Sequence, residues 1–149
     1  MIEDISTALD TILPTVEVDG ESLFVDVIPH PPTDDQGNDF NGFPSAAHFY
    51  DGTDSDYSTV TENRRDIVFA VWIYAIWQDK PLADQYALAH KYMDAVLDKL
   101  DQSGDLGIND LMLRPAPGEL RRVSTDRGTG LVSYIRLVCS YDRQVGGFA

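Results

Sequence analysis

The chain has 149 residues, 43% of them hydrophobic and 10% aromatic, enough material for a single core without disulfides or a metal. Its formal net charge is −14, and the charge is unevenly placed: residues 1–63 hold fourteen acidic side chains and no Lys or Arg, while residues 64–149 hold eleven of each sign. Clustered Lys and Arg are what phosphate contacts need, so the first part of the chain is excluded as a nucleic-acid surface; its negative field serves either solubility or a partner.

Residues 2–13 repeat Ile2, Ile5, Leu9, Ile12 and Leu13 at helical spacing, and Pro14 closes that amphipathic helix. Residues 22–28 alternate, with Leu23, Val25 and Val27 assigned to one strand face. Residues 30–42, rich in Pro, Gly, Asp and Asn, read as a mobile acidic loop. A short strand follows over 43–50, then a second polar loop carrying Asp51, Asp54 and Asp56. The clearest element is 66–77, a strand apolar at both its odd and its even positions. Either helices cover one of its faces and a partner subunit the other, or the strand crosses a thick core.

Asp79 is placed to cap the next helix, which starts around Pro81, carries an apolar stripe from Leu82 to Leu100 and ends at Gly104. After an irregular stretch, residues 120–125 and 131–143 form a closing hairpin, and 145–149 are a loose tail. The order predicts one α+β domain over 1–149, a small antiparallel sheet of four to five strands with two main helices packed on one face. The longest apolar run, eleven residues over 67–77, is too short to span a bilayer, and the acidic start lacks a secretory leader, so a cytoplasmic product with no membrane partner is expected. The single cysteine, Cys139, lies in an apolar strand and reads as a buried, inert thiol.

No residue nominates itself for catalysis. His30, His48 and His90 are isolated from one another, and neither His48 nor His90 has the i, i+4 partner of a helical ligand pair. Ser45 lacks a nucleophile elbow, and the 126–130 glycines lack the Lys-Ser/Thr of a phosphate loop. The acidic segments Asp34, Asp35, Asn38, Asp39 and Asp51, Asp54, Asp56 do not have calcium-loop spacing. The reading is therefore of a protein without cofactor or metal, and not an enzyme.

Residues 43–74, FPSAAHFYDGTDSDYSTVTENRRDIVFAVWIY, resemble the central run of the tail terminator and tail-completion proteins of long-tailed bacteriophages. There too a short strand leads through an acidic Gly/Asp loop and a polar turn into a long apolar strand, followed by a helix and a closing hairpin. The resemblance implies a virion protein at the head-proximal end of the tail, assembled in the host cytoplasm. It implies a homo-oligomeric, hexameric ring that caps the tail tube, ends its elongation and provides the surface for the neck or head-completion protein. DNA would pass through without specific binding. On this reading Asp34, Asp35, Asp39, Asp51, Asp54 and Asp56 either line the lumen or form an outer or axial docking surface. Arg64, Arg65, Val68, Trp72, Tyr74 and Ile76 are candidates for the subunit interface. The alternatives are a head-completion or neck connector of the same virion and, from another class, an acidic DNA mimic.

Overall fold

The computed structural model describes residues 1–54 and 64–142, without the side chains of residues 53, 54, 64 and 142. Helix α1 spans Ile2–Ile12 and continues as a 3-10 turn, Leu13–Thr15. Two short strands, β1 (Glu17–Val18) and β2 (Glu21–Ser22), form a separate hairpin around Asp19-Gly20. Both turn residues have positive φ, 55° and 81°, the geometry of the two-residue turn that matches strand twist. Then come β3 (Val27–Ile28), β4 (Ser45–Asp54), β5 (Arg64–Trp77), α2 (Leu82–Ser103), β6 (Leu111–Thr125) and β7 (Gly128–Asp142).

The main sheet has five strands in the order β3-β4-β5-β7-β6. Three of its pairings are antiparallel, but β3 runs parallel to β4, so the sheet is mixed and not wholly antiparallel as expected. Parallel neighbours need a crossover connection. Residues 29–44 supply it, and they carry Phe40 and Phe43 onto the sheet beside Ala47, Tyr74 and Val132.

Both helices lie on one face of the sheet. Ile5 and Leu9 of α1 and Met93, Val96 and Leu100 of α2 close over Ile67, Phe69, Val71 and Ile73 of β5 and Ile135, Leu137 and Cys139 of β7. Burial at this scale, roughly 1.5–3 kcal/mol for each large apolar side chain, is the main stabilising term. Cys139 is fully buried there, which pushes its thiol pKa up to about 12.

Four further sequence expectations need correction. Over 22–28 the alternation fails: Leu23 and Phe24 are consecutive and both buried, while Val25 is 55% exposed. The segment bends, with Leu23 N–H donating to Val16 O at 2.9 Å and Val25 N–H to Pro44 O at 2.8 Å, so no single strand runs through it. Asp79 does not cap α2; its φ is 56°, and Pro81 holds the cap position with no side-chain cap bond. The stretch expected to be irregular before residue 120 belongs to β6 from Leu111 onward. Pro115 and Pro117 are tolerated in it because β6 is a sheet edge, where a missing N–H leaves no ladder bond unmade on the outer side. Finally, β5 does not need a neighbour's cover, because of its ten apolar residues from Ile67 to Ile76 only Trp72 is not buried within a single copy.

Candidate functional site

In the antiparallel part of the sheet, paired residues point to the same side. The register Trp72↔Tyr134, Tyr74↔Val132, Ala70↔Arg136 and Val68↔Val138 therefore defines the face turned away from the helices. The resemblance makes Val68, Trp72, Tyr74 and Ile76 candidates for a subunit interface, on the ground that a strand apolar on both faces carries more apolar surface than a monomer readily hides. It does hide most of them: Val68, Tyr74 and Ile76 are 5%, 3% and 7% exposed within one copy, and only Trp72 is half-buried.

The crossover is the physical reason at the Tyr74 end. Phe40 and Phe43 fold down from it onto Tyr74, Ala47 and Val132, making a second small core. Phe40 and Tyr74 ring centres are 5.3 Å apart. Arg127, from the β6–β7 turn, clamps the crossover from outside. Its guanidinium donates to Phe40 O at 2.8 Å and to Gly37 O, and lies 4.6 Å over the Phe43 ring. Asp26 accepts from Asn41 N–H at 2.6 Å. Burial, then the nearby Tyr134 and the crossover carboxylates, push the Tyr74 phenol up to about 12.

The crossover acids act largely on their own loop. Asp34 accepts from Asn38 Nδ2 at 2.8 Å and from Gln36 N–H at 2.9 Å, bonds that hold its carboxyl below the usual aspartate range. Asp39 accepts from Thr33 N–H at 2.6 Å and from Thr33 Oγ1. Asp35 and Asp51 are exposed. Asp56 lies outside the described residues, as do the side chains of Asp54 and Arg64. Arg65 sits on the helix side, lining a shallow groove of about 320 Å³ with Met1, Ile2, Glu3, Ile67 and Tyr141. The candidate interface residues are thus not brought into one exposed patch.

What remains accessible on the face away from the helices is a row that sequence reasoning misses. Phe49, Trp72 and Tyr134 are half-buried and stack edge to face across β4, β5 and β7, with ring centres 4.9 Å and 5.0 Å apart. Arg121 lies 5.9 Å over the Tyr134 ring. Arg136 is exposed beside them, and Arg114 donates to Asp66 Oδ2 at 3.3 Å and to Ser140 Oγ at 3.1 Å. Met112, 59% exposed, extends the apolar surface toward the same edge. The available signal was Arg136, a cation set within the apolar run of β7 at the alternation position of the second face.

On the helix side one buried polar contact stands out. His48 is fully buried and donates from Nε2 to Asp10 Oδ1 of α1 at 2.6 Å, while its Nδ1 has no hydrogen-bond partner among the described residues. His30 and His90 are exposed. Among the described residues no three potential metal ligands come together, and no helix is long and apolar enough to cross a membrane. Compared with protein-family models and with curated protein sequences, the chain matches none.

Proposed function

We propose that this chain is a ring-forming structural protein of a tailed bacteriophage, a tail terminator that caps the tube and presents a docking surface to the neck. The observation that carries the reading is the two-sidedness of the fold. Both helices cover one face of the sheet, and the other keeps an accessible aromatic row flanked by Arg114, Arg121 and Arg136. The net negative charge belongs to residues 1–63. A contact between two unlike surfaces is head to tail, and head-to-tail contacts close into rings or run on as filaments. The resemblance of residues 43–74 to tail terminators selects the closed ring. The buried strand β5 no longer supports this reading, because its apolar surface is satisfied within one copy.

The test is electron microscopy and mass photometry of the purified chain, alone and mixed with tail tubes of the parent phage. Closed rings of uniform copy number that sit on one tube end are expected. A chain that neither forms rings nor binds tube ends would refute the reading. Rings that bind the head connector and not the tube would assign it to the neck instead.

A further inference from the structure

We propose that Asn41 is a self-modification site: its side-chain amide is lost to attack by the Gly42 nitrogen, and the product loosens the crossover that closes the second core. Asparagine is among the thermolabile residues, and Asn41 is exposed on the crossover. Neither its side-chain amide nor the Gly42 N–H has a hydrogen-bond partner among the described residues, so no other contact holds the reacting groups. Glycine leaves the attacking nitrogen without a side chain to block its approach. Packing keeps a glycine there, because a Cβ at position 42 would come 3.3 Å from Val25 Cγ1. The other described asparagines differ. Asn38 donates from Nδ2 to Asp34 Oδ2 at 2.8 Å and is followed by Asp39, and Asn109 is followed by Asp110.

The chemistry needs only water. Hydroxide takes the Gly42 N–H proton, and the nitrogen bonds to Asn41 Cγ. The Cγ–Nδ2 bond breaks, and Nδ2 leaves as ammonia with a proton from water. The cyclic imide so formed adds water at one carbonyl or the other. It opens to aspartate, or to isoaspartate, in which the chain runs through the former side chain. Either product acts on the crossover. Asp26 already accepts from residue 41 N–H at 2.6 Å, so a carboxylate at position 41 stands beside a like charge and is repelled. Isoaspartate adds one carbon to the backbone between Phe40 and Phe43, whose rings are 6.2 Å apart and pack with Tyr74. Arg127 on Phe40 O and Ser45 Oγ, 2.7 Å from Gly42 O, hold the chain on the two sides of the inserted carbon, so one of these contacts must shift.

The purified chain can be incubated at mildly alkaline pH and digested with endoproteinase Asp-N, which cuts before Asp39 and Asp51 and releases residues 39–50. Mass spectrometry should show this peptide gaining the mass of one deamidation several-fold faster than the peptide carrying Asn109. Aspartate at position 41 creates a new cut, and isoaspartate resists it. Gly42→Ala should slow the conversion several-fold. The deamidated protein, separated by ion exchange, should unfold at lower urea than the fresh chain, and Asn41→Asp should reproduce the charge part of that fall. Asn41→Gln should stay unmodified and keep the fresh midpoint. Conversion of residues 39–50 no faster than at Asn109 would overturn the site. Conversion that leaves the urea midpoint and near-UV circular dichroism unchanged would overturn its action on the crossover. Neither readout depends on whether the chain forms rings.

Discussion

The clamp made by Arg127 offers a quantitative check on why the second sheet face closes within one copy. Replacing Arg127 by Ala removes two charge-assisted hydrogen bonds, to Phe40 O and Gly37 O, and the stacking of the guanidinium on Phe43. Each such bond contributes roughly 1.5–3 kcal/mol and the cation–π contact about 0.5–1 kcal/mol. Gly37 and Phe40 are buried, and water entering the space left by the side chain would replace part of each bond, so the expected net loss is about 3 kcal/mol. For a chain of this length that corresponds to a fall in Tm of roughly 6–12 °C. Arg127→Lys keeps the charge but not the fork, and should lose about half as much. The assay is urea unfolding followed by tryptophan fluorescence. A second readout is specific to the clamp: release of the crossover uncovers Tyr74, whose phenol should titrate closer to its ordinary 10.0 than to about 12. If R127A unfolds within about 0.5 kcal/mol of wild type and Tyr74 titrates unchanged, the clamp does not hold the crossover and the account of the second core is wrong.

The buried Tyr74 also sets a pH window. Its phenol rises from 10.0 to about 12 on folding, so above pH 10 the unfolded chain gives up a proton the folded chain keeps. The Tyr74 contribution to stability should be constant below pH 10 and fall between 10 and 12; urea midpoints independent of pH across that range would contradict the burial. Asp10→Ala should cost about 1–3 kcal/mol, because it leaves buried His48 Nε2 without its acceptor, whereas Asp10→Asn should retain most of the stability; equal midpoints for D10A and wild type would show the contact to be idle. At Gly130 a Cβ would stand 1.9 Å from Ala75 O and 2.7 Å from Ile76 Cα, both backbone atoms of the neighbouring strand. Gly130→Ala should therefore cost more than about 3 kcal/mol or abolish soluble yield, and a wild-type urea midpoint would refute the close β5–β7 approach at that position.

The residues themselves determined the local elements. Periodicity in 2–13 and in the 82–100 stripe fixes which side of each helix is apolar, and that side is the one the core uses. The two-sided apolar pattern of 67–77 and the alternation in 131–141 likewise fix two central strands, and the placement of charge is a property of the chain in any conformation. A pattern says which face is apolar and is silent on what covers it. Cover depends on chain path, and the path was decided by the parallel β3–β4 pairing, which sends residues 29–44 across the second face and brings Arg127 from far along the chain onto Phe40. The same holds for β6, whose prolines are tolerated only because it became an edge, and for His48, whose acceptor sits 38 positions earlier on α1. The row of Phe49, Trp72 and Tyr134 exists in no single segment: three strands distant in sequence contribute one ring each, and only their register sets them edge to face.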